Sequence, residues 1–141
     1  MKKSVIVIIG LIYIASIVFI SFFGMKMLSY DETVYSESVQ VLNEDMIDKV
    51  DDVTNKNFKI VQLKYEDGLT YTIRTKVYPE NVSNKAVECV YDQERVEVSI
   101  ETDIVTVKVL PFSNRSVTIT LTIRPADGTN QSTEVRLFVK K

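Results

Sequence analysis

Apolar and polar positions along the chain change their period twice. From Ser4 to Met25 the sequence runs SVIVIIGLIYIASIVFISFFGM without a charged residue. At ~1.5 Å per residue this is roughly 33 Å of helix, enough for the ~30 Å hydrocarbon layer of a bilayer. The run is apolar all round and has no polar stripe, so it does not describe an amphipathic surface helix. A cleavable signal peptide has a shorter apolar run of ~7–15 residues, followed by a small-x-small cleavage site. Here the exit carries Phe22, Phe23, Met25 and Met27, and no Cys follows for a lipid anchor. The pattern predicts an uncleaved signal-anchor transmembrane helix over 1–27, with residues 4–25 in membrane lipid. Lys2, Lys3 and the terminal amine flank one end and Lys26 the other. The positive-inside rule then puts the N-terminus in the cytoplasm and the C-terminal domain outside, in the cell membrane.

From Phe58 onward the period is two. In Ser116–Arg124, Val117, Ile119, Leu121 and Ile123 alternate with Ser116, Thr118, Thr120, Thr122 and Arg124, as in a strand with one face in a core and one in water. Tyr71, Ile73, Thr75 and Val77 repeat the pattern. So do Val96, Val98 and Ile100, then Val105, Val107 and Val109, then Val135, Leu137 and Val139. Phe58–Tyr65 and Ala86–Tyr91 are further strands. Turn residues separate the runs: Asp67-Gly68, suited to a tight hairpin, then Pro79–Asn84, Pro111–Asn114, and Pro125–Asn130 with Asp127-Gly128. About seven short strands with no helix between them predict an all-β, antiparallel β-sandwich over 57–141.

Residues 28–56 differ from both flanks. Asp31, Glu32, Glu37, Glu44, Asp45, Asp48, Asp51 and Asp52 stand against Lys49 and Lys56, a net of −6. The favoured expectation is a solvated acidic stalk or linker; a cation site or an acidic docking surface is the alternative, but the Asp spacing lacks the D-x-[DN]-x-[DN]-G calcium loop. Asn43 is placed to cap a short helix bearing Met46, Ile47, Val50 and Val53 on one side. Thr33–Leu42 is richer in β-branched residues and suits an extended segment.

Composition narrows the chemistry. The chain has 141 residues, a formal net charge of −2, no His, no Trp and one Cys. A His/Cys zinc site, a His-dependent nucleophile system and an intrachain disulfide are thereby excluded or nearly so. The acidic balance argues against nucleic acid. No catalytic, cofactor-binding or metal-binding residue stands out, and an enzyme is not expected. Cys89, alternating with Val87 and Tyr91, is expected to be a small buried hydrophobe rather than a reactive thiol. Tyr78 and Tyr91 near loops are candidates for a contact surface, with packing at sheet edges or on the core the favoured reading for most of the tyrosines. Asn81-Val82-Ser83, Asn114-Arg115-Ser116 and Asn130-Gln131-Ser132 match the glycosylation acceptor pattern but read as turn residues.

The stretch Val77-Tyr78-Pro79-Glu80-Asn81-Val82-Ser83-Asn84-Lys85-Ala86-Val87 resembles the bacterial Ig-like domain, group 2, in which a strand ending in Val-x-Pro leads through an Asn-rich turn into an apolar strand. Asp67-Gly68, Val96-Glu97-Val98, Val117-Thr118-Ile119-Thr120, Asp127-Gly128 and Val135–Val139 continue the resemblance over about 58–141. Cys89 stands where the family usually has Trp, and Glu101-Thr102-Asp103 occupies a turn where it has Gly. The resemblance implies an immunoglobulin-like sandwich of cell-surface or secreted bacterial proteins, with a binding or structural role and no catalytic residues. A protein or envelope polymer is the expected partner of the ectodomain. An accessory subunit of a larger membrane complex, held through its transmembrane helix, is the competing expectation.

Overall fold

The computed structural model describes residues 3–27 and 32–141. Lys2 and Asp31, both used in the sequence reading, lie outside the described residues. Two compact units result, Met1–Glu32 and Thr33–Lys141.

The first unit is one α-helix, α1 (Lys3–Met27). It is long and apolar enough to cross a membrane. Ser16 Oγ donates to the Ile12 carbonyl at 2.8 Å, so this hydroxyl is satisfied within the helix. Phe19 and Phe23, one turn apart, stack at 4.3 Å between centroids.

The second unit is all strand and turn: β1 (Ser38–Val41), β2 (Ile47–Val50), β3 (Asn57–Lys64), β4 (Thr70–Tyr78), β5 (Val87–Val90), β6 (Val96–Glu101), β7 (Ile104–Val109), β8 (Ser116–Pro125) and β9 (Thr133–Lys140). One sheet has the order β1-β4-β7-β6 and the other β2-β3-β9-β8-β5. The alternating side chains fill one core between them. Ile73, Val77, Val96, Val105, Val107 and Val109 come from the first sheet. Val61, Ile119, Leu121, Ile123, Val135, Leu137 and Val139 come from the second. This is the two-layer solution by which half-apolar sheets bury one face each.

Four expectations are corrected. The spacer reading of 28–56 fails for its described part, since β1 and β2 belong to the two sheets and the compact unit starts at Thr33 rather than 57. Three of its acidic side chains are tied to the domain: Asp48 pairs with Lys59 at 3.0 Å, Asp51 with Arg136 at 2.6 Å, and Asp45 accepts from the Tyr71 hydroxyl at 2.7 Å. The helix capped by Asn43 is instead strand β2. Asn43 accepts from the Arg74 N–H at 2.8 Å and donates to the Thr72 carbonyl at 2.9 Å, continuing the β1–β4 ladder with a side chain.

Asp67-Gly68 does not close a hairpin, because β3 and β4 lie in different sheets. The Leu69 N–H donates to the Glu66 carbonyl and Gly68 has φ +79°, a conformation glycine adopts without strain. The turn thus carries the chain from one layer to the other. Lastly, not every pair is antiparallel: β3 runs parallel to β9. A parallel pair needs a long crossover, and here all the chain between β3 and β9 supplies it.

Candidate binding surface

The sandwich has four edge strands, β1 and β6 in one sheet and β2 and β5 in the other. β2 is the most open: all four of its residues are exposed. Ile47, Val50 and Val53 are 64%, 56% and 92% exposed. The Asp51 N–H donates to the Lys56 carbonyl in the β2–β3 hairpin. Strand alternation therefore aims the main-chain groups of Ile47 and Lys49 at β3, and those of Asp48 and Val50 at the open side. A donor–acceptor row beside exposed apolar side chains is the template for strand addition.

The charges on this edge bear on what can add to it. A two-fold axis perpendicular to the sheet pairs residues of the same face. Centred on Asp48 it sets the two carboxylates opposite each other, and centred on Lys49 it does the same to the ammoniums. Like charges directly opposite are destabilising, so the edge disfavours a second copy of itself in these two registers, though not in one centred on Ile47 or Val50.

The β2–β3 hairpin is held in place from the outer face of its sheet. Phe58 and Arg136 both face outward, away from the shared core, and the Arg136 guanidinium lies 3.9 Å from the Phe58 ring centroid. Arg136 also bonds Asp51 and Glu134, each at 2.6 Å. Asp51 Oδ1 accepts from the Val53 and Thr54 N–H groups, shaping the hairpin turn. The Arg136 bond, followed by these two backbone bonds, lowers the Asp51 carboxyl to about 2.

A second lock joins the start of the domain to the β8–β9 turn. Ser36, buried, donates its N–H to Asp127 Oδ2 at 2.6 Å and its hydroxyl to Oδ1 at 3.0 Å. Thr129 adds an N–H and a hydroxyl to the same carboxylate. Burial pushes the Asp127 carboxyl up, but the bonds from Ser36 and Thr129 together outweigh it and hold it at about 2.

The residues singled out from sequence are scattered. Cys89 is half-buried on edge strand β5 and packs against the core, and burial pushes its thiol up to about 11. Tyr78 and Tyr91 are half-buried, and Tyr91 packs on the core, in line with the favoured packing reading rather than an open contact surface. Asn81, Asn114 and Asn130 are exposed. Among the described residues no group of three or more acidic or Cys side chains is placed to hold a cation. The sequence reading did not single out Val50 and Val53 as surface residues; their signal was an apolar spacing that fits no strand alternation.

No family model matches the chain, and no curated protein matches it.

Proposed function

We propose that the chain is a single-pass, membrane-anchored extracytoplasmic protein with an immunoglobulin-like domain that binds a partner at the bacterial cell surface through a sheet edge. The anchor reading is supported by α1 and by the lysines at its start. The immunoglobulin-like reading is supported by strand order. In chain order β1-β4-β7-β6 corresponds to the A-B-E-D sheet of that fold, and β9-β8-β5 to its G-F-C sheet, with β3 as a split first strand beside G. Thr102 supports the group 2 resemblance further. It has φ +55° at the turn where that family carries Gly, so the backbone there has the conformation a glycine favours.

The observation that carries the binding role is the β2 edge, with an unpaired main chain beside exposed Ile47, Val50 and Val53. Natural sandwiches cover, charge or twist away such edges, and this one keeps three exposed apolar side chains on and beside it. The test is photocrosslinking in intact cells from a benzoylphenylalanine placed at Val50 or Val53, with exposed Glu97 on the other sheet as control. Adducts to an envelope component from 50 or 53, and none from 97, are expected. Adducts from none of the three positions, or equally from all, would refute an edge-directed binding role.

A further inference from the structure

β4 is paired along only part of each side. Residues Thr70–Arg74 pair with β7, and Thr75–Tyr78 pair with β1 on the opposite side. The Thr75 N–H still reaches across to the Asp103 carbonyl at 2.9 Å, and its hydroxyl does so at 2.6 Å. Two residues on, the main-chain groups of Val77 point to that same side. No strand is there. Among the described residues nothing bonds the Val77 N–H or carbonyl.

The gap has a cause. β6 and β7 turn at Thr102-Asp103, and Thr102 takes φ +55°, unusual for a β-branched residue. The turn is drawn toward the other sheet, where the Val87 N–H donates to the Thr102 carbonyl at 2.9 Å. β7 therefore starts too late to cover the end of β4. The gap adjoins a groove of about 370 Å³ bordered by Lys76, Val77, Glu80, Lys85 and Asp103 and reached by Leu42 from the β1 side of β4.

We propose that this groove is a strand-addition site that receives an extended polypeptide segment of another protein, paired to the main chain of Val77 where β7 leaves off. An N–H and a carbonyl on one side of one residue ask for a ligand presenting both in return, and an extended polypeptide main chain does so. Residues 76–78 offer ~10 Å at ~3.3 Å per residue, room for about three residues of the incoming strand. The rim carries both signs: Lys76 is held by Glu80, while Lys85 and Asp103 form no ion pair among the described residues. Recognition is thus by main chain rather than by net charge. The inference rests on the binding role proposed above but uses different residues from the β2 edge.

The test uses the full chain in lipid nanodiscs. In the free protein, residue-resolved hydrogen exchange should show the Val77 amide exchanging at least tenfold faster than that of Thr75. Decapeptides selected from a random phage-displayed library should then slow Val77 at least tenfold. Replacing the Val77 amide by an ester removes a donor with no acceptor in the protein. Because the ester also makes the Lys76 carbonyl a weaker acceptor for its β1 partner Gln40, it should lower the melting temperature slightly without unfolding the domain, and should weaken the selected peptides at least tenfold. A Val77 amide as slow as that of Thr75 in the free protein would overturn the proposal. So would an ester without effect on binding, or a library yielding no peptide above empty nanodiscs. Peptides that protect Asp48 and Val50 instead would overturn it while leaving the β2-edge reading standing. Slowing of Val77 with rising protein concentration alone would assign the groove to a second copy and overturn it likewise.

Discussion

Arg136 covers Phe58 on the side of the five-stranded sheet that faces away from the core, with 3.9 Å between guanidinium carbon and ring centroid. Phe58 is buried there without belonging to the shared core. The arginine head group meets the ring face, and its nitrogens meet Asp51 and Glu134. One side chain thus fastens the β2–β3 hairpin and, with it, the open edge.

Arg136→Ala should destabilise the β domain by about 1–3 kcal/mol, combining a partly desolvated cation–π contact with charge-assisted hydrogen bonds. Arg136→Lys should recover only part of this, because an ammonium cannot fork between two carboxylates while covering the ring. Guanidinium denaturation of the detergent-solubilised chain, followed by far-UV circular dichroism, measures both. A change below about 0.5 kcal/mol for Arg136→Ala, the range of ordinary surface substitutions, would contradict the role assigned to it.

Asp51 and Asp127 give the domain a defined acid sensitivity. Both carboxyls sit at about 2, below the ordinary value of 3.8. The unfolded chain therefore binds more protons than the folded one between these values. The stabilisation they provide is complete above pH ~4 and is lost as the pH falls toward 2. The melting temperature should be flat from pH 7 to 5 and drop below pH 4. Asp127→Asn should lower it at pH 7, by weakening the bonds from Ser36 and Thr129, and should shrink the drop in acid. An unchanged acid drop in that variant would contradict the assignment.

Thr102→Gly should be neutral to stabilising, by up to about 1 kcal/mol. Relief of the ~1–2 kcal/mol left-handed penalty outweighs the ~0.5–1 kcal/mol entropic cost of glycine. Thermal melting of the variant checks this, and a loss of more than about 1 kcal/mol would contradict the strained turn.

Cys89 should label slowly. Burial raises its thiol from 9.0 to about 11, which lowers the thiolate fraction at pH 7.5 about a hundredfold. Maleimide modification of the native chain should be at least tenfold slower than in denaturant. Equal rates would show that the β5 edge does not shield the thiol.

The seven longer-patterned strands were legible because each buries alternate residues against a facing sheet. Val117, Ile119, Leu121 and Ile123 are the plainest case, and the last three are almost fully buried. Of the first two strands, β1 was legible only as part of an extended Thr33–Leu42 segment and β2 not at all, for a physical reason. β1 is four residues long and contributes only Val39 and Val41 to the core. β2 buries neither face, so nothing imposes alternation on Ile47-Asp48-Lys49-Val50, and the spacing of Met46, Ile47, Val50 and Val53 imitates a helix. At Asp67-Gly68 the residues specify a reversal but not its destination, since a turn within a sheet and a turn between sheets use the same glycine geometry. The gap at Val77 depends on where β7 begins relative to β4. That is a long-range register, carried by no local motif.

The central claim is a β domain held outside the cell by an uncleaved N-terminal helix, and protease treatment of intact cells with mass spectrometry of the products tests it most directly. The account predicts that added protease digests the domain beyond Thr33 without cell lysis. It also predicts that the untreated mature protein retains residues 4–25 and partitions with the membrane. A mature N-terminus beyond residue 24, or a domain cut only after lysis, would contradict it.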